Sequence, residues 1–273
     1  MKNSHTSIFL ILTVSAGMAN AAVTLGPDAY GYVLDQLNNP AGFTTIVGGA
    51  GTVRQTLAGA TRDDFTFQVP MGFSFNYYGT TFTDAFVSTN GFIAMGGLVS
   101  ANNTSGAYLN PDISQSTILV TGGTGAPTVE RAVISPFWDD LFFSATQPGA
   151  LYTQTRTVGP ITEFVVEWNG AQFFDAQTTP MTLQAILRSD GTMSFYYPDV
   201  TSAAAGSLGA SATVGLHDLN GGGAAGRAIL YSFNTASLAN GDAINITLVP
   251  EPGTGLLAMG GLAGMLLRRR RRE

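Results

Sequence analysis

The sequence of 273 residues contains no cysteine, which excludes disulfide bonds and thiolate chemistry. Its only lysine is Lys2, and no Gly-x-x-x-x-Gly-Lys phosphate-binding loop occurs. Histidine occurs only as His5 and His217, which are too few ligands for a zinc site without cysteine. Charged residues make up 11% of the chain, well below the ~25% of an average soluble domain.

Glycine and aromatic residues are abundant instead, with 34 Gly, 17 Phe and 9 Tyr. This composition is typical of β-structure with many turns. Between the two ends of the chain, six arginines stand against 16 acidic residues, which gives this body a net charge of −10. Such a body repels nucleic acid and anionic membranes and can attract divalent cations. We therefore expect no nucleic-acid partner.

Residues 1–21 have the layout of a cleavable secretory signal peptide. A basic start at Lys2 precedes an apolar stretch over residues 8–14, and small residues surround Asn20 at the end of the segment. This order predicts export of the chain and cleavage after Ala21.

Residues 249–273 have the features of a membrane tail with a short transmembrane helix. The motif Pro250-Glu251-Pro252 is followed by an apolar run over residues 256–267. In a helix these twelve residues span only about 18 Å of the ~30 Å hydrocarbon core, so the helix would be a marginal permanent anchor. The arginines predicted to stop transfer and stay on the cytoplasmic side are Arg268, Arg269, Arg270, Arg271 and Arg272.

This tail resembles the PEP-CTERM sorting signal, in which a Pro-Glu-Pro motif, a Gly-rich apolar helix and a terminal arginine cluster follow in this order. The resemblance implies an exosortase-type membrane protease as partner and cleavage near the motif. It also implies transient anchoring in the inner membrane of a Gram-negative bacterium, followed by release to the cell surface or extracellular matrix. An ordinary short tail anchor is the alternative.

Between the two ends, short alternating apolar runs separated by turn residues predict strands rather than helices. Strands at this spacing predict an all-β fold over residues 22–248, a jelly-roll-like antiparallel β-sandwich of two sheets. Three pairs of runs are joined by turn-forming dipeptides that predict hairpins, namely Asn90-Gly91, Gly159-Pro160 and Asp190-Gly191.

Several short motifs along this body follow in a recognisable order. Residues 73–79 are Phe-Ser-Phe-Asn-Tyr-Tyr-Gly, residues 86–92 are Phe-Val-Ser-Thr-Asn-Gly-Phe, and residues 134–141 are Ile-Ser-Pro-Phe-Trp-Asp-Asp-Leu. In these motifs the region from about residue 28 to residue 248 resembles the nidogen-type (NIDO) extracellular module. The resemblance implies an adhesive or matrix-associated role and no catalytic residues.

Asp139 and Asp140 are the candidate metal ligands, because adjacent carboxylates after an apolar strand could hold Ca²⁺, which takes six to eight oxygens. Further oxygens could come from Asp63, Asp64 and Asp175. The alternative is structural: one carboxylate caps a turn and the other accepts hydrogen bonds from loop amides. Apart from calcium, the sequence predicts no cofactor.

Exposed aromatic rings could stack on sugars, and the candidate glycan contacts are Trp168, Tyr196 and Tyr197. Because side chains alternate along a strand, the adjacent tyrosines must lie on opposite faces of their sheet. One of these two rings could therefore contact a glycan on whichever face of the sheet is exposed.

Two arrangements bear on catalysis. Glu163 and Glu167 lie four residues apart on one predicted strand and share a face, so a polysaccharide hydrolase is a third alternative. His217 is followed by Asp218, but no Gly-x-Ser-x-Gly elbow accompanies them, and a loop after a strand is the simpler interpretation.

Together these features predict an exported, non-enzymatic surface or matrix protein with a structural or adhesive role in exopolysaccharide or biofilm. A carbohydrate-binding, lectin-like module is the main alternative. The predicted partners are an exosortase and either exopolysaccharide or other surface proteins.

Overall fold

The computed structural model describes residues 23–38, 42–56, 62–96, 108–114, 119–120, 129–130, 132–146, 149–218 and 226–249. The predicted signal peptide, Pro-Glu-Pro motif, transmembrane helix and arginine cluster all lie outside these residues. Within the described residues, none of the helical structure has the length and hydropathy required to cross a membrane.

The regular secondary structure of the described residues consists of β-strands, together with a 3-10 turn at Ser207–Gly209. The strands are β1 (Thr24–Leu25), β2 (Tyr32–Leu37), β3 (Val53–Arg54), β4 (Thr66–Tyr77), β5 (Thr80–Ser88), β6 (Ile93–Met95), β7 (Leu119–Val120), β8 (Val129–Glu130), β9 (Ala132–Trp138), β10 (Leu141–Phe142), β11 (Ala150–Val158), β12 (Ile161–Phe173), β13 (Ala176–Arg188), β14 (Met193–Asp199), β15 (Thr213–His217), β16 (Ala228–Phe233) and β17 (Asp242–Leu248).

Two antiparallel sheets form the sandwich, which confirms the predicted fold class. The larger sheet has the order β1-β2-β17-β14-β13-β12-β11-β3, with β10 paired to β12. The smaller sheet has the order β16-β15-β9-β6-β5-β4, and β7 pairs with β8 separately. Because β17 lies between β2 and β14, the last strand that the structure describes is an interior strand of the larger sheet.

All three predicted hairpins are confirmed by antiparallel pairing of β5 with β6, β11 with β12, and β13 with β14. One strand is longer than the periodicity predicts. Two alternating runs, residues 64–69 and 72–77, contribute to a single strand, β4, which begins at Thr66 and whose register shifts between Pro70 and Phe75. Gly72, with φ of +80°, lies at this irregularity and lets the strand continue past it.

The main core lies between the two sheets, and buried aromatic side chains tie the sheets together. The Trp168 indole of β12 donates a hydrogen bond of 2.7 Å to the carbonyl oxygen of Ser88 in β5. The Tyr197 hydroxyl of β14 donates one of 2.8 Å to the carbonyl oxygen of Pro136 in β9. Each ring thus fills apolar space between the sheets while its polar atom satisfies a backbone acceptor in the facing sheet.

A second apolar cluster covers the outer face of the smaller sheet. Phe92 and Trp138 stack there with ring centroids 4.3 Å apart, and Ile113 from the segment 108–114 packs against them. Because both faces of β9 are covered, every residue of that strand is buried, including Ser135. A strand buried on both faces has a continuous apolar sequence rather than an alternating one.

The turn between β5 and β6 generates a prediction about stability. At Gly91, with φ of +74°, a Cβ atom would lie 1.9 Å from the carbonyl oxygen of Phe137. We expect Gly91→Ala to lower the free energy of unfolding by at least about 3 kcal/mol, measured by denaturant titration. Gly159→Ala is the matched control, since Gly159 also has positive φ (+60°) but nothing within 4 Å, and it should cost about 1 kcal/mol. Equal losses in the two variants would contradict the close backbone approach.

Candidate functional site

Three aspartates converge at one end of the sandwich. Carboxylate oxygens of Asp63, Asp64 and Asp140 lie within 4.8 Å of one another, and all three residues are half-buried. Asp63 forms an isolated antiparallel bridge with Phe142, so the segment before β4 runs beside β10. We refer to Asp63, Asp64 and Asp140 as the aspartate cluster.

Asn90, which is fully buried, positions two members of the cluster. Its side-chain amide donates a hydrogen bond of 2.9 Å to Asp64, and its side-chain oxygen accepts one of 2.9 Å from the backbone N–H of Leu141. Its backbone oxygen accepts a third from the N–H of Asp139 at 3.2 Å. Asn90 thereby joins the segment that carries Asp64 to the segment that carries Asp140.

The structure separates the two adjacent aspartates that the sequence suggested as joint ligands. Asp139 is only 7% exposed and turns away from the cluster. One of its oxygens accepts a hydrogen bond of 2.6 Å from the Ser211 hydroxyl, and the other accepts the backbone N–H of Asp140 at 2.8 Å. Asp139 thus has the turn-capping role of the structural alternative. Asp140 joins Asp63 and Asp64, two of the three residues suggested as further ligands.

Burial and mutual repulsion disfavour the charged forms of the cluster carboxylates. Burial, followed by the charges of Asp64 and Asp63, raises the pKa of Asp140 to about 7. Burial, followed by the charge of Asp64, raises the pKa of Asp63 to about 6. Burial also raises the pKa of Asp64, against the opposing hydrogen bond from Asn90. At neutral pH the cluster therefore concentrates negative charge that a cation or a proton would relieve.

The chemistry of the cluster suits a hard divalent cation. Ca²⁺ binds carboxylate and carbonyl oxygens and tolerates irregular geometry, whereas Mg²⁺ requires a near-ideal octahedron. Three carboxylates supply at least three of the six to eight oxygens that Ca²⁺ takes. The remaining positions would be left to water, backbone carbonyls or oxygens of a bound partner. Calcium binding stays a prediction of the sequence, now with a defined set of residues.

An exposed aromatic pair lies beside the cluster. Phe174 is 45% exposed, and its ring makes an edge contact with that of Phe142 at a centroid distance of 6.2 Å. The backbone N–H of Phe174 donates a hydrogen bond of 3.0 Å to the carbonyl oxygen of Asp140, which couples this rim to the cluster. Phe174 is one of the aromatic residues that the sequence offers for stacking on sugars, but its place beside Phe142 could not be predicted, because the pairing of β10 with β12 brings together residues 32 positions apart.

The predicted glycan contacts require correction. Trp168 and Tyr197 have no exposed surface, so the prediction that they stack on sugars is wrong. Their polar atoms instead form the two inter-sheet hydrogen bonds. Tyr196 lies on the opposite face, half-buried beside Ile46, and contact of this ring with a glycan stays a prediction.

The carboxylates considered for hydrolysis lie on the outer face of the larger sheet, and both have structural partners. Glu163 bonds to Arg156 at 2.8 Å and to Arg188 at 2.9 Å. Glu167 is fully buried. It accepts hydrogen bonds of 2.7–3.0 Å from Thr45, Ile46, Asn169 and Gln184.

The structure places His217 and Asp218 at buried positions at the end of β15. His217 is 2% exposed and ends β15, and its backbone oxygen is 3.4 Å from the Tyr77 hydroxyl. Asp218 forms an ion pair of 2.8 Å with Arg227. The end of β15 at His217 matches the strand part of the simpler interpretation, and residues 219–225 lie outside the described residues.

The fold and the site together define an all-β sandwich module with an acidic end. A family model described as NIDO related matches residues 31–256, and the chain belongs to this family. A second model, the PEP-CTERM protein-sorting motif, matches residues 248–272. No curated protein and no solved structure matches the chain. Both resemblances inferred from the sequence motifs are thereby confirmed.

The raised pKa values of the cluster predict an unusual pH dependence of stability. Asp63 and Asp140 bind protons in the folded state up to pH values of about 6 and 7, whereas an unfolded aspartate releases its proton near pH 3.9. Their contribution to stability is therefore present at low pH and is lost as pH rises through the window from about 4 to 7.

We expect Asp140→Asn to reduce this loss of stability with rising pH, measured as the free energy of unfolding between pH 5 and 8 in the presence of EDTA. Asp84→Asn, which changes a carboxylate outside the cluster, should leave the slope as in the wild type. A wild-type slope in the Asp140→Asn variant would contradict the electrostatic description of the cluster.

Proposed function

We propose that this protein is an exported, non-enzymatic component of the bacterial exterior with a structural or adhesive role in exopolysaccharide. The observation that carries the proposal is the presence of two family matches in one chain. A NIDO-related model matches the body, and a sorting-motif model matches the residues from the end of β17 onward. The motif implies export and processing by an exosortase, which is a membrane protein. The finer destination, in the surface matrix of a Gram-negative bacterium, is part of the proposal.

The bonds made by Glu163 and Glu167, the two carboxylates considered for hydrolysis, support the non-enzymatic part of the proposal. Glu163 is bonded by two arginines, and Glu167 already accepts four hydrogen bonds in a fully buried position. A general acid or nucleophile needs access to substrate, which these bonds and this burial restrict. Glu167 instead holds the segment around Ile46 against the outer face of the larger sheet.

Adhesion is proposed to occur through Ca²⁺ at the aspartate cluster. The cluster lies at the end of the sandwich where β12 finishes at Phe173, since Asp140 is bonded to the next residue, Phe174. The sorting tail leaves from the opposite end, because β17 runs from Asp242 beside Tyr197 to Leu248 beside Tyr32. The acidic end of an anchored chain would thus point away from the membrane.

A carbohydrate-binding module remains the second candidate function, and one specific observation favours it. The exposed ring of Phe174 lies next to carboxylates that could hold a calcium ion. Apolar ring faces combined with calcium-coordinated hydroxyls are a plausible basis for recognising one defined sugar. The two candidates differ in whether binding saturates and in whether it depends on Phe174.

Calcium should stabilise the folded domain. At a concentration about 100 times the dissociation constant, a bound ion adds about 2.7 kcal/mol to the free energy of unfolding. For a domain of this size the melting temperature should rise by roughly 5–10 °C. We expect calorimetry of residues 22–249 to show this rise for the wild type and Asp84→Asn and to show none for Asp140→Asn. A melting temperature that calcium leaves unchanged in the wild type would remove the metal from the proposal.

Binding to matrix polymer tests the adhesive role directly. Co-sedimentation of residues 22–249 with exopolysaccharide from the producing bacterium should retain the protein in the pellet with calcium and release it with EDTA. Asp140→Asn should lose this retention, whereas Asp84→Asn should keep it. Saturable binding lost in Phe174→Ala would favour the carbohydrate-binding module. Release of reducing sugar from the polymer would contradict the non-enzymatic assignment.

A further inference from the structure

The match to the sorting motif begins at the end of the last strand that the structure describes. It starts at residue 248, and Leu248 is the last residue of β17. Leu248 pairs with Tyr32 of β2, and the backbone N–H of Val249 donates a hydrogen bond of 2.9 Å to the carbonyl oxygen of Gly31. The chain is therefore held by the sheet up to the residue that precedes Pro250.

This last strand is held on both sides and packs into the core. It pairs with β14 over Met193–Tyr197 and with β2 over Tyr32–Leu37. Its residues Ile244 and Ile246 are fully buried. An extended substrate segment cannot enter a protease cleft while its backbone N–H and C=O groups are paired within a sheet. Any cut within β17 would require the strand to leave the interior of the sandwich.

The connection to the membrane is also short compared with the body that it carries. Six residues, 250–255, separate Val249 from the apolar run that starts at Leu256. Six residues span at most about 20 Å when fully extended. Eight strands lie side by side in the larger sheet, which makes it roughly 35 Å wide. The body is therefore wider than the greatest length that the tether, residues 250–255, can span. A body of this width held close to the membrane must restrict how a membrane-embedded enzyme approaches the motif.

We propose that the end of β17 determines how close to the folded body an exosortase can cut this protein and how fast it cuts. Cleavage leaves Val249 on the mature chain, and the short distance between the folded body and the membrane limits the rate of cleavage. The face that the enzyme meets is the tail end of the sandwich, which the turn at residues 28–31 and the hairpin turn at Gly191 flank. This inference rests on the proposed processing by an exosortase.

The first test is the C-terminus of the processed protein. The full-length chain is coexpressed with an exosortase, and the released form is analysed by intact mass and C-terminal peptide sequencing. We expect the mature chain to end at residue 249 or later. An end at residue 248 or earlier would overturn the inference while leaving processing itself established. Absence of any cleavage would overturn the processing and the inference together.

The second test lengthens the tether. Ten Gly/Ser residues inserted between Val249 and Pro250 add about 17 Å of mean reach. We expect precursor to convert to mature protein several-fold faster in a pulse-chase experiment. The control places the same insertion in the hairpin turn between Gly159 and Pro160, which leaves the tether unchanged, and should convert no faster than the wild type. Equal rates for the two insertions would overturn the tether limit.

A substitution that loosens the end of β17 provides an independent check. At Gly31, with φ of +105°, a Cβ atom would lie 2.9 Å from the carbonyl oxygen of Val249. Gly31→Ala should therefore push Val249 off the sheet and speed conversion, even if it also lowers stability. Gly48→Ala is the matched control, because Gly48 has φ of +74° and nothing within 4 Å. Slower or unchanged conversion in folded Gly31→Ala would count against the limit set by β17.

Discussion

The buried amide of Asn90 is the contact on which the acidic end of this molecule depends. It is hydrogen-bonded at once to Asp64 before β4 and to the backbone of Leu141 after β9, and the isolated bridge between Asp63 and Phe142 joins the same two segments. A buried amide has two donors and an acceptor that must all be satisfied, so it can be accommodated in few arrangements of its surroundings. Gly91 adds to this constraint, because its backbone lies too close to Phe137 for any side chain.

The aspartate cluster, which the Asn90 amide holds together, is electrostatically unfavourable on its own. Three half-buried carboxylates share one small volume, and Asp64 adopts a left-handed backbone conformation with φ of +49°. Such a conformation in a non-glycine residue costs of order 1 kcal/mol and persists only where the surrounding structure determines it. The surrounding sandwich fixes this conformation through its packed core and through the hydrogen bonds of Trp168 and Tyr197 between the sheets. Trp168 and Tyr197 thus tie the two sheets together rather than forming a sugar-binding surface.

The direction of the strands gives the molecule two unlike ends. The aspartate cluster and Phe174 lie at one end, and Val249 leaves the fold at the other, about the length of β12 away. A sandwich is stiff along its strands because each strand is bonded to its neighbours over most of its length. An attachment at one end therefore presents the opposite end at a defined distance. This separation allows sorting and the proposed adhesion to operate on the same chain without competing for surface.

The sequence by itself determined the features that depend on local pattern: the all-β class, three hairpins from their turn dipeptides, and the sorting motif from its linear order. These could be read because turn chemistry and alternation act over a few residues. It also suggested Asp139 and Asp140 as metal ligands, with Asp63, Asp64 and Asp175 as further ones. Only the tertiary structure brought Asp63, Asp64 and Asp140 within 4.8 Å and turned Asp139 to Ser211. Likewise, period-two alternation placed Tyr196 and Tyr197 on opposite faces, but which face was covered depended on the second sheet. Contacts between residues far apart in sequence form only when strands pair and sheets pack, and no local pattern encodes which strands will be neighbours.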